Sequence, residues 1–102
     1  MNKVSEYSDR VIDRLKRDLS NELILSITDM LQGEDEVTLN IAVNRSTTFK
    51  TITPYYEDDT IETIEVYEEY YEQDGNLYSG TRELTELDTE ELLSVWNFLK
   101  EM

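Results

Sequence analysis

The chain has no cysteine and no histidine, a single proline, three glycines, and only nine basic residues against 24 acidic ones. Without cysteine there are no disulfides, thiolate metal sites or thiol nucleophiles, and without histidine the commonest metal ligand and general base is missing. These two absences exclude most enzyme mechanisms. The shortage of bases leaves a net charge of −15, which repels phosphate backbones and anionic lipid alike and disfavours direct binding to nucleic acid or membrane. A basic protein surface would instead draw the chain in quickly, with association that weakens as salt rises. Residues 1–19 mix Lys3, Arg10 and Arg14 with Glu6, Asp9 and Asp13 and never reach an apolar run, so neither a signal peptide nor a membrane span is expected there. The expectation is one soluble cytoplasmic domain spanning residues 1–102, large enough to bury about 65% of its unfolded surface and fold without staples.

What is present is concentrated. Between Glu57 and Glu91 lie fourteen carboxylates and one base, Arg82, so this stretch carries −13 of the −15. Ile61, Ile64, Val66, Tyr67, Tyr70, Tyr71, Leu77, Tyr78, Leu84 and Leu87 are threaded through the acids at spacings a folded element can use, which predicts a folded acidic surface rather than a solvated tail.

Residues 3–32 lack proline and glycine and stop at Gly33, which predicts helix. Val4, Tyr7, Val11, Ile12, Leu15 and Leu19 form one apolar stripe, and Leu23, Ile24, Ile27, Met30 and Leu31 form another rotated by roughly 130° from it. A straight helix would present two faces and run to about 45 Å, against a radius of gyration near 13 Å for a domain of this size. A break near Ser20 and Asn21 is therefore expected. The alternative is one long helix whose overhang packs on a second copy. Lys3, Arg10, Arg14 and Arg17 share a flank of the first segment; Glu6 with Arg10 and Asp13 with Arg17 have the i,i+4 spacing of surface ion pairs, which is the preferred reading over a phosphate-binding stripe.

Val37, Leu39, Ile41 and Val43 alternate with Thr38, Asn40 and Ala42, a strand with one buried face. Asn44 to Thr47 make a turn, Thr48 to Thr53 return, and Pro54 is expected to end the pairing. Thr60 to Glu72 satisfies helical spacing too, but its Ile, Thr, Val and Tyr content favours strand, and Asp74 with Gly75 signals a hairpin. A three-residue loop Gln73, Asp74, Gly75 sets Ile64 against Leu84, Val66 against Arg82, Glu68 against Gly80 and Tyr70 against Tyr78. The opposite face then shows Glu65, Tyr67, Glu69 and Tyr71, with Glu83 across from Glu65. Asp88 and Glu91 form a capping box before a final helix whose stripe is Leu92, Val95, Trp96, Leu99 and Met102. Phe98 falls off that stripe. The predicted fold class is α+β: an N-terminal helix broken near residues 20–21, a four-stranded antiparallel sheet of two hairpins, and a C-terminal helix, with the helices on one face and the other face wet.

The candidate partner-binding surface comprises Glu57, Asp58, Asp59, Glu62, Glu65, Tyr67, Glu69, Tyr71, Glu72 and Glu83. Tyrosine is a frequent anchor at protein interfaces and acids steer a basic partner, whereas side chains on one strand face recur about every 6.8 Å, too sparsely to copy a phosphate backbone alone. The triplets Glu34 to Glu36 and Glu57 to Asp59 lack the spaced ligand pattern of calcium loops, and the pairs Glu65 with Glu69 or Glu83, which would suit a glycosidase, lack a cleft. No metal, cofactor or enzymatic activity is expected.

Small size, strong acidity, the missing cysteine and histidine, and the helix and sheet order together resemble the phage-encoded anti-CRISPR and anti-restriction proteins. The resemblance is one of composition and element order across the chain and assigns no individual residue. It implies an inhibitor in the bacterial host cytoplasm, a nucleic-acid mimic whose acidic face occupies the basic channel of a Cas nuclease or restriction enzyme, including arginines that read the PAM. The alternative is a small assembly or regulatory subunit that binds through an apolar or helical surface and is acidic only for solubility; under either reading the chain is expected to be a monomer or a dimer.

Overall fold

The computed structural model describes residues 2–102, with side chains from Arg10 onward; the sequence readings for Lys3, Val4, Glu6, Tyr7 and Asp9 lie outside the described side chains. The order is α1 (Asn2–Met30), β1 (Val37–Ala42), β2 (Thr47–Glu57), β3 (Thr60–Tyr71), β4 (Leu77–Glu83), a 3-10 turn (Leu84–Glu86) and α2 (Thr89–Lys100). The strands form one antiparallel meander in the order β1-β2-β3-β4. Both helices contribute to a single core on one side of the sheet. There Leu23 and Ile27 of α1, Leu31 just past its end, and Leu92, Val95 and Leu99 of α2 join Phe49, Ile52, Ile64, Val66, Leu84 and Leu87. The fold class is α+β, as the element order predicts.

The register of β3 on β4 follows from its turn. Glu72 N–H donates to the Asn76 carbonyl and Gly75 N–H to Glu72, closing a three-residue loop in which Gly75 has φ 83°; a side chain at that φ would be strained. Val66 then opposes Arg82, Glu68 opposes Gly80, Tyr70 opposes Tyr78 and Glu65 opposes Glu83. The Asp88 capping box is also formed, with Glu91 N–H donating to Asp88 Oδ1 at 2.8 Å and Asp88 N–H to Glu91 Oε1 at 3.1 Å.

Four expectations are corrected. α1 is one helix through Ser20 and Asn21, not two. No residue there breaks it, and the Ser20 hydroxyl, instead of capping a second segment, meets the Thr89 hydroxyl at 2.6 Å. The length estimate assumed that all of α1 lies against the body, whereas residues 10–19 are exposed on every face and the radius of gyration is 16.0 Å. Pro54 does not end β2, since it pairs with Ile64. β1 has its last partner at Ile52, so beyond that point β2 is bonded only to β3 and the missing proline N–H costs no ladder bond. Met102 lies past the end of α2 and is exposed, and Trp96 is only half-buried, its ring 5.8 Å from the Lys100 ammonium. Among the described residues Asp13 and Arg17 form no ion pair, in keeping with the small value of such surface contacts.

Ser20 meets the first residue of α2, while Met30 and Leu31 meet Leu99 and Met102 around a small cavity at the other end. The two helices therefore run side by side in the same direction. Everything in α1 before about residue 16 extends past the start of α2.

Candidate interaction surface

The sheet has a covered face and an open one. On the open face β3 contributes Thr63, Glu65, Tyr67, Glu69 and Tyr71; their partners are Tyr55, Thr53, Thr51 and Thr48 on β2 and Glu83, Thr81, Ser79 and Leu77 on β4. Tyr55, Tyr67, Tyr71 and Leu77 are all exposed. The result is a row of aromatic rings set among threonines and a few carboxylates.

The predicted site is brought together only in part. Glu65, Tyr67, Glu69, Tyr71 and Glu83 share the open face. Glu57, Asp58 and Asp59 form the tip of the β2–β3 hairpin, where Asp58 takes φ 58°, a conformation Asp tolerates better than most residues. Glu72 lies at the opposite end of β3, about 40 Å away for a twelve-residue strand. Glu62 leaves the face altogether: Tyr55 pairs with Thr63 but Tyr56 with Ile61, so Glu62 is the extra residue of a bulge, and it lines a groove with Ile24 and Thr28 of α1. Strict alternation from Ile64 and Val66 already puts Glu62 on the covered parity; what the bulge changes is Ile61, which leaves the open parity and lines the same groove.

Two residues of this face escaped the sequence reading. Lys50 is the extra residue of a second bulge, between Phe49 and Thr51, and sits 3.8 Å from Glu69, so one of the face's acids is already paired. Tyr55 lies beside Glu65, whose negative charge is the largest influence raising its phenol above the ordinary value of 10.0, followed by burial, hydrogen bonding with the same carboxylate and the charge of Glu36. Its position on β2, at the same parity as Thr53, was the signal available.

Glu65 and Glu83 face one another across the ladder with no base within ion-pairing distance among the described residues. Carboxylates directly opposite in a sheet repel, by a few tenths of a kcal/mol to about 1 kcal/mol. The covered face solves the same problem differently. Glu68, 8% exposed, accepts from Arg82 Nε at 2.9 Å and Nη2 at 3.0 Å, and Arg82 also donates to Glu91 at the start of α2. Hydrogen bonds to Glu91 and then Glu68 raise the Arg82 pKa against the opposing effect of burial. The guanidinium also lies 5.9 Å from the centre of the Phe49 ring.

Among the described residues no group of three or more acids is arranged to hold a metal ion, and no helix is long and apolar enough to cross a membrane. Comparison with protein-family models, with curated proteins and with solved structures returns no match.

Proposed function

We propose that this protein is a non-enzymatic binding protein or inhibitor whose open sheet face docks on the basic, nucleic-acid-binding groove of a partner protein of the Cas nuclease or restriction enzyme kind. The observation that supports this most is the unrelieved Glu65 and Glu83 pair, set among the exposed rings of Tyr55, Tyr67 and Tyr71. A lysine or arginine from a partner would be gained by both carboxylates at once, and tyrosines give desolvated contact area at small conformational cost. The acids are too far apart to copy phosphates one for one. The tip Glu57 to Asp59 and the far end at Glu72 supply a steering field along the strand, and the tyrosines supply the affinity.

The test is capture from a bacterial lysate at low and moderate salt, followed by measurement of nucleic-acid binding by whatever is captured. The reading expects capture that falls steeply with salt, is lost when Glu65 and Glu83 are both replaced by lysine, and competes with the captured protein's nucleic acid. Capture indifferent to salt and to that double substitution overturns it. In kinetic measurements with the isolated partner, Tyr67→Ala should mainly speed dissociation, at a cost of about 1 to 3 kcal/mol, while the charge reversals should mainly slow association.

A further inference from the structure

The exposed half of α1 is unlike the rest of the molecule. All ten residues from Arg10 to Leu19 are exposed, and Val11, Ile12, Leu15 and Leu19, between 38% and 61% exposed, fall within about 100° of the helix circumference. An isolated helical segment of this length has little stability of its own in water, and four aligned apolar side chains on it are those of a surface that another helix covers. Its charge also differs. Residues 1–20 contain five of the nine bases and four of the 24 acids, so the whole negative charge of the chain resides in the remainder.

We propose that this half of α1 pairs with the same segment of a second copy, antiparallel, to form a two-fold symmetric dimer. The flanks of the stripe suit self-pairing. Arg14 precedes Asp18 along one flank, and Asp13 precedes Lys16 along the other. A two-fold axis perpendicular to the helix pair sets each flank against its own copy in reversed order, so base faces acid on both sides. The antiparallel sense also carries the two acidic bodies to opposite ends of the pair, whereas a parallel pairing would place them together. The contact uses a stretch of the chain that carries no net negative charge and leaves the sheet face open, so it stands independently of the function proposed above.

The experiment is sedimentation velocity on the full chain over a range of concentration and salt. A reversible monomer–dimer equilibrium is expected, holding or tightening as salt screens the repulsion between bodies, the opposite of the salt response expected of the sheet face. Leu15→Glu should raise the dissociation constant at least about tenfold with an unchanged circular dichroism spectrum of the body, since the Leu15 side chain is exposed. Replacing Glu65 and Glu83 by lysine should leave dimerisation in place, which separates failure of this proposal from failure of the other. Because the chain has no cysteine, orientation can be read by mild oxidation: Val11→Cys mixed with Leu19→Cys should cross-link, and neither should cross-link efficiently alone. A monomer at every concentration, a dimer indifferent to Leu15→Glu, assembly beyond the dimer, or each cysteine variant cross-linking by itself would overturn the proposal.

Discussion

The β3–β4 ladder handles carboxylates in two opposite ways on its two faces. On the covered face Glu68 meets the fork of Arg82, which is held in turn by Glu91, and the cluster ties the sheet to the start of α2. On the open face, three residues along the same strand, Glu65 meets Glu83 and nothing neutralises either. The contrast follows from solvent. Beneath the helices an unpaired charge would cost several kcal/mol, so only a paired one is tolerated, while in water repulsion between two exposed carboxylates is weak enough to persist.

The largest effect should come from breaking the covered side. Arg82→Met leaves Glu68 buried without a cation and removes one of the links between β4 and α2, and should destabilise the fold by about 2 to 4 kcal/mol in urea denaturation. Replacing Glu68 and Arg82 together by leucine should recover most of that loss, because a buried ion pair contributes less net stability than its removal by halves suggests. A loss below about 0.5 kcal/mol for Arg82→Met would mean that the guanidinium is solvated and the two faces are not different in kind.

Much of this contrast was legible in the sequence. The Asp74–Gly75 turn and the alternation of apolar residues set the register, and that register already placed Glu68 and Arg82 at the parity of Ile64, Val66 and Leu84. A glutamate and an arginine on the buried parity of adjacent strands are the signal of a covered ion pair, though the third member, Glu91, depended on where α2 would dock. Glu62, at the parity of Ile64 and Val66, was already legible as lying off the open face; the bulges were not, because one inserted residue leaves composition unchanged while bringing Ile61 to the covered side and giving Lys50 access to Glu69. Nor was the continuity of α1. Two rotated stripes are compatible with a broken helix and with a straight one that leaves a stripe bare, and no local signal distinguishes them.

The open side should respond with the opposite sign. Glu83→Lys turns the like pair with Glu65 into an attractive one and should stabilise the fold by about 0.2 to 1 kcal/mol, while weakening any basic partner at this face. A matched Glu68→Lys would destabilise instead, by setting a second cation against Arg82 under the helices. Thermal or urea midpoints of the two variants, compared directly, check whether face alone sets the sign. If both destabilise, the Glu65 and Glu83 pair is relieved by something other than a partner.

The smallest effect is a titration. Glu65 is the main cause of the raised Tyr55 pKa. The neutral phenol is therefore favoured in the fold, and the contribution to stability is fully present below the unfolded value of 10.0 and lost as pH rises through the folded value. Around neutral pH it changes nothing, so the shift serves as a reporter on Glu65. Carbon-13 resonances of the labelled tyrosine Cζ atoms, followed through alkaline pH, should show Tyr55 moving down toward its ordinary value in Glu65→Gln and by less in Glu36→Gln, the order in which the two charges act. A larger response to Glu36 would place the Tyr55 hydroxyl away from the open-face pair. The same resonance also tests occupancy, because a basic side chain docked between Glu65 and Glu83 cancels the charge that holds the Tyr55 pKa up. Partner binding should then lower the Tyr55 pKa in the wild type and leave it nearly unchanged in Glu65→Gln, whereas a partner held elsewhere on the molecule would move neither.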